Sequence, residues 1–178
     1  HIFQADERVA PLSSADRTLT HLREALLSHA PLRAEQVHPM PVDDDDLAAA
    51  ARSYDATLQK IAGAPPVLDV VHLGLGPDGH TASLVPKDAA LEVTAADVAI
   101  SGPYQGHRRM TLTYPILNRA AMVLWLVTGE GKAEMLKRLY DGDTGIPAGR
   151  VRRDRAVILA DKAAASLFRG HGDAESPV

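Results

Sequence analysis

Val67-Leu68-Asp69-Val70-Val71-His72-Leu73 runs without a break into Gly74-Leu75-Gly76-Pro77-Asp78-Gly79-His80. The first seven residues are β-branched or otherwise mostly apolar, which predicts a short strand buried on both faces of a parallel sheet. The three glycines that follow let the backbone turn sharply and pass close to a ligand. A loop of this kind can aim several N–H groups at an anion or a developing oxyanion.

Outward from this stretch, helical and strand-like patterns alternate. His1 to Gln4 reads as the end of a strand. A helix is expected from Arg17 to Ser28, with Ser14 or Asp16 as its cap. A second is expected from Asp46 to Ile61, ended by Gly63 and Pro65-Pro66. Val98 to Ser101 and Arg109 to Thr113 are weaker strand patterns, and Ala121 to Thr128 is a strong one whose Trp125 reads as packing. Gly131 to Tyr140 reads as a helix, Ala156 to Leu159 as a strand and Lys162 to Phe168 as a final helix. The alternation predicts an α/β fold, a three-layer, mostly parallel sheet flanked by helices in the Rossmann-like manner. Such sheets bind ligands beyond the carboxyl ends of their strands, so the loops after strands are the places to search.

The bulk numbers exclude several classes. A chain of 178 residues with 46% hydrophobic and 24% charged residues suits one domain with a sizeable core. A net charge of -4 without a basic block argues against nucleic acid and anionic membrane as partners. No apolar run reaches the length of a membrane span, and no signal peptide is visible. The absence of cysteine excludes disulfides and thiolate metal sites and is compatible with a reducing cytoplasm. Asp43-Asp44-Asp45-Asp46 reads as the solvated N-terminus of a helix, with a divalent-cation site as the minority reading.

The loop formally matches G-x-G-x-x-G, the dinucleotide fingerprint. That fingerprint must open a long helix, and Pro86 comes too soon for one. His80 is the reactive candidate, because it follows a glycine turn at a strand end and imidazole titrates near neutrality. His72, inside the apolar strand, reads as a core residue, and His21, His29, His38 and His171 as surface or helix-end residues. G-x-S-x-G and H-E-x-x-H are both absent, and Ser83 reads as a local hydrogen-bonding residue. Water activated by a base is the better attacking group.

The stretch from Gly74 to Pro86 resembles the signature of the 6-phosphogluconolactonase family. Asp6-Glu7-Arg8-Val9-Ala10-Pro11, Arg109-Met110-Thr111-Leu112-Thr113 with Leu117-Asn118, and Gly129-Glu130-Gly131-Lys132-Ala133 resemble three further family segments, in order. The related glucosamine-6-phosphate deaminases share the Asp-Gly-His turn. They continue it with an Asn-Glu pair where this chain reads Thr81-Ala82-Ser83-Leu84-Val85-Pro86. The resemblance therefore favours the lactonase, with a deaminase or a non-catalytic sugar-phosphate binder as the alternatives.

The resemblance implies one 6-phosphogluconolactonase-like domain over residues 1–178, cytoplasmic, acting on a sugar-phosphate lactone. It implies His80, Asp6 and Arg8 as catalytic residues, and Gly74, Gly76, Asp78, Gly79, Arg109 and Lys132 as substrate-binding residues. His80 would take a proton from water and return it to the leaving ring oxygen. The loop amides or Arg8 would hold the oxyanion, and Asp6 would orient a substrate hydroxyl or a cation. Arg109 and Lys132 would hold the 6-phosphate, with His107 and Arg108 as neighbouring alternatives. Glu7 falls on the opposite side of an extended segment from Asp6 and Arg8. The scheme requires no metal and no cofactor. Family members begin with a further strand, a Ser-Gly-Gly type of loop and a helix, which the resemblance does not find here. A chain shortened at its N-terminus is the expectation. Thr18, preceded by Arg17, stands where the family tends to carry Asn.

Overall fold

The computed structural model describes residues 1–168; His171 and the remaining tail lie outside the described residues. Among the described residues there are eight strands: β1 (Ile2–Phe3), β2 (Asp6–Arg8), β3 (Val37–His38), β4 (Val70–Leu73), β5 (Val98–Tyr104), β6 (His107–Leu112), β7 (Met122–Val127) and β8 (Ala156–Ala160). Four α-helices accompany them: α1 (Thr18–Leu22), α2 (Leu47–Ala62), α3 (Tyr114–Arg119) and α4 (Ala133–Asp141). The α/β class is as the alternation predicts.

β4, β7 and β8 form a parallel sheet in the order β4-β7-β8, and β1 pairs in parallel with β3. The weaker strand patterns turn out to be an antiparallel hairpin, β5-β6, extended by β2 into a sheet of order β2-β6-β5. In that sheet Arg8 lies opposite Arg109 and Asp6 opposite Thr111. Residues directly opposite each other in a ladder share a face. This register therefore places the cations of β2 and β6 side by side.

β4 corrects one expectation. Val71 and Leu73 are buried, but Val70 and His72 are exposed, so the strand is apolar-packed on one face only. Its apolar look arises because the open face of the same sheet also carries Leu126, Val157 and Leu159. His72 is accordingly not a core residue. Trp125, by contrast, is 1% exposed and packs in the main core with Val71, Leu73, Leu136 and Leu139. Burying an aliphatic side chain such as Val71 or Leu73 contributes roughly 1.5–3 kcal/mol, which anchors the strand ends that carry the site.

α1 corrects another. Its first residues are preceded by Arg17, and neither Ser14 nor Asp16 caps it. The orphan amides of Thr18 and Leu19 instead donate to the carboxylate of Glu7, at 2.8 and 2.9 Å. A π-helical turn, Arg23–Leu27, continues α1 to the predicted end. α2 begins where the sequence places it, because Asp46 accepts from the Ala49 amide at 2.9 Å. Asp43 of the same acidic run pairs with Arg17 at 2.9 Å. The final helix is only a 3-10 turn at Ser166–Phe168, preceded by turns. Among the described residues no helix is long and apolar enough to cross a membrane.

Candidate active site

A cavity of about 270 Å³ opens at the carboxyl end of β4. Four elements supply its charged and flexible wall. Asp6 and Arg8 come from β2, Gly74, Gly76 and His80 from the loop after β4, Arg109 from β6, and Lys132 from the turn after β7. His72, read from the sequence as a core residue, and Thr18, at the position where the family tends to carry Asn, also line it.

No helix follows the glycine loop; Thr81 and Leu84 close a tight bridge instead, which removes the dinucleotide reading. The loop is held by its own amides. Gly76 N–H donates to the His80 carbonyl at 2.8 Å, and Gly79 N–H to the Gly76 carbonyl at 3.1 Å. These two amides are therefore engaged within the turn rather than presented to a ligand. The two glycines are needed for another reason. A Cβ on Gly76 would lie 2.0 Å from His80 Nδ1, so the imidazole occupies the space a side chain would take. Gly79 has φ +82°, and its Cβ would lie 2.6 Å from Ile146 Cβ.

Gly76→Ala tests the first of these contacts. The added methyl must displace the ring, and misplacing a catalytic group by about 1 Å costs on the order of 10²-fold in rate. Turnover is expected to fall by that factor while the circular dichroism spectrum stays that of the parent. A parent-like rate in the alanine variant would show that the ring position does not matter.

The same turn supplies the partner of His80. Asp78 Oδ1 lies 2.5 Å from His80 Nδ1 and 3.2 Å from the His80 backbone nitrogen. Burial raises the Asp78 carboxyl, but the hydrogen bonds from the His80 side chain and backbone outweigh it and hold the group below the usual carboxylate range. Asp78 is absent from the cavity wall. Its carboxylate faces the imidazole. With Nδ1 engaged by a carboxylate, the neutral ring carries its proton there and leaves Nε2 as the basic nitrogen.

β2 divides its functions between its two faces. Asp6 accepts from Ser83 Oγ at 2.6 Å, and burial pushes its carboxyl above the ordinary value despite the opposing effects of Ser83 and Arg109. Arg8 borders the cavity and ties itself to the Asp16 carbonyl through Nη1 at 2.8 Å. Glu7 points the other way, as alternation requires, and is fully buried. It accepts from Gln4 Nε2 and from the amides of Arg8, Thr18 and Leu19, and pairs with buried Arg17 at 3.3 Å.

Of the three basic residues at the start of β6, one reaches the cavity. Arg109 is buried and reaches the cavity, whereas Arg108 is exposed and His107 lies 3.4 Å from Asp16. Arg109 donates to the Tyr104 carbonyl and to Gln105 Oε1, both at 3.3 Å, and its Cζ sits 5.0 Å from the centre of the Tyr104 ring. Its Nε is buried without a hydrogen-bond partner. Burial and the nearby Arg8 lower its pKa, which reflects two like charges held together beside one cavity. Arg8, Arg109 and Lys132 against the single carboxylate of Asp6 make this wall a site for an anion.

The comparisons agree with this reading. The family model described as glucosamine-6-phosphate isomerases/6-phosphogluconolactonase matches residues 1–159. The chain is 40% identical to the 6-phosphogluconolactonase of Mycobacterium tuberculosis, over 93% of this chain and 72% of that protein. It is 37% identical to the human 6-phosphogluconolactonase, over 92% of this chain and 66% of that protein. The crystal structure of the Thermotoga maritima 6-phosphogluconolactonase superposes with a TM-score of 0.79 at 30% identity, covering 90% of this chain and 71% of that one. A monomeric glucosamine-6-phosphate deaminase shares the fold at 20% identity, with a TM-score of 0.77. The four sequence segments, the cavity they build and these matches lead to one conclusion: the chain belongs to the glucosamine-6-phosphate isomerase/6-phosphogluconolactonase family.

Proposed function

We propose that the chain hydrolyses 6-phospho-D-glucono-1,5-lactone to 6-phospho-D-gluconate, a step of the oxidative pentose phosphate pathway. The observation that carries this reading is the Asp78–His80 pair at the rim of a cavity walled by three cationic side chains. Lactone hydrolysis needs a base for water, a stabiliser for the oxyanion and a proton for the leaving oxygen. His80 Nε2 takes a proton from water as the water oxygen bonds to the lactone carbonyl carbon. The carbonyl π electrons move onto oxygen, where Arg8 holds the charge. Collapse of the intermediate breaks the bond to the ring oxygen, and the imidazolium returns the proton there. The product acid then loses a proton to solvent. Asp6, which accepts from Ser83, orients a substrate hydroxyl in this reading. Arg109 and Lys132 take the 6-phosphate, the first with a planar fork and the second as a compact charge.

The described residues share one core, which supports reading the chain as a single domain. A net charge of -4 without a basic block fits a cytoplasmic enzyme rather than a nucleic-acid or membrane partner, and the cationic cavity wall fits a small anionic substrate. The deciding experiment follows ring opening of freshly generated 6-phosphogluconolactone above its spontaneous rate, beside ammonia release from glucosamine 6-phosphate. Acceleration of the first alone is expected. Ammonia release would move the chain to the deaminase branch of its family, and no turnover of either substrate would leave a sugar-phosphate binder.

A further inference from the structure

The tip of the β5-β6 hairpin reaches across to the Asp78–His80 pair. Tyr104 Oη donates to Asp78 Oδ2 at 3.0 Å, while Asp78 Oδ1 meets His80 Nδ1 at 2.5 Å. The same phenol oxygen is 3.4 Å from His80 Nδ1, and the two rings meet edge to face with centres 5.2 Å apart. The carboxylate is thus held by a different donor on each oxygen. The hairpin is shaped for this reach: its register shifts between Ser101 and Tyr104, and Gln105 and Gly106 both take positive φ, at 50° and 85°. Arg109 secures the tip from behind through the Tyr104 carbonyl and ring.

We infer that Tyr104 is a positioning residue that fixes the Asp78 carboxylate, and through it the tautomer and orientation of His80. The inference rests on the lactonase reading for its kinetic consequence but not for its geometry. A carboxylate with one oxygen unheld can rotate, and the imidazole bonded to it then loses its preferred direction. With Tyr104 donating to the second oxygen, Asp78 stays an acceptor and Nδ1 keeps its proton, so Nε2 alone exchanges protons with the reaction. The charged group that meets the imidazole is Asp78 from its own turn, while Arg109 from the hairpin lies over the Tyr104 ring. Asp6 and Arg8 from β2, and Lys132 after β7, border the same cavity. None of these offers Asp78 a hydrogen bond in place of Tyr104.

Tyr104→Phe removes the hydroxyl and keeps the ring that Arg109 and His80 pack against. A lost hydrogen bond to a charged group is expected to lower kcat by about tenfold, with KM within about twofold of the parent. The His80 Nδ1–H proton is expected to give a sharp nuclear magnetic resonance signal in the parent and a broadened one in the variant. Unchanged kcat with an unchanged Nδ1–H signal overturns the inference. A raised KM with an unchanged signal also overturns it, because Tyr104 would then act on substrate through Arg109. The spectrum needs no turnover, so it decides the matter even if the chain fails to hydrolyse the lactone. If the phenylalanine variant does not fold, the parent suffices: a neutral His80 protonated at Nε2 contradicts the arrangement.

Discussion

His80→Ala is expected to lower lactone turnover by about 10³-fold, the middle of the range for removing a positioned general acid–base. The basis is geometric. His80 is the cavity's only imidazole with a carboxylate on its Nδ1, since His72, which also lines the wall, has no such partner among the described residues. The alanine variant should keep its fold, because the ring is partly exposed and the turn is held by the Gly76 and Gly79 amides rather than by the imidazole. The measurement is steady-state ring opening corrected for the spontaneous rate, with a thermal melt on the same preparation. The remaining activity should come from Arg8, Arg109 and Lys132, which still bind and polarise the substrate. A variant that keeps more than about a tenth of the parent rate would put the base elsewhere. Asp6 would then be the next candidate, since burial raises its carboxyl and so makes its carboxylate a stronger base toward water.

The parts of this site legible in the sequence are those whose information is local. The loop from Gly74 to His80 declares itself because a strand pattern, three glycines and a titratable side chain are contiguous. Asp6, Arg8, Arg109 and Lys132 reach the cavity as expected, although they arrive there from three separate elements. Tyr104 stays hidden because its partner lies 26 residues away in the chain and only the hairpin brings them together. The turn residues Gly102-Pro103-Tyr104-Gln105-Gly106 between two strand patterns were the available signal. Helix α3, with six residues and a proline in its first turn, is too short to show a period. β4 misleads for a different reason. Its exposed Val70 belongs to a sheet face that is apolar but open, and a run of apolar residues says nothing of which of them is covered. Glu7 shows the limit of local reading most clearly. Alternation gives its direction away from the cavity, yet its partners Thr18 and Leu19 lie 11 and 12 residues on.

That same residue carries the largest expected effect on stability. Glu7→Ala is expected to destabilise the fold by about 3–5 kcal/mol, the usual cost of stranding one member of a buried ion pair. Arg17, 1% exposed, would lose its Glu7 partner and keep only Asp43 and the Ala10 carbonyl. The amides of Thr18 and Leu19 would lose their acceptor at the start of α1. For a chain of this size such a loss lowers the melting temperature by on the order of 10 °C. Glu7→Gln separates charge from shape, since it can still accept hydrogen bonds but carries no charge. Burial alone would raise the Glu7 carboxyl, but the bonds from Gln4, Leu19, Arg8 and Thr18 prevail and hold it below its ordinary 4.5. A depressed carboxyl stabilises fully above its unfolded value, and that contribution is lost as pH falls through the lower folded value. The gap in melting temperature between parent and Glu7→Gln should therefore be complete at neutral pH and shrink as pH drops below about 4.5. A gap that stays constant down to acid pH would mean that Glu7 acts through its shape. A gap that closes would mean that its charge, shared by Arg17 and the start of α1, locks β2 in place and so sets where Asp6 and Arg8 stand.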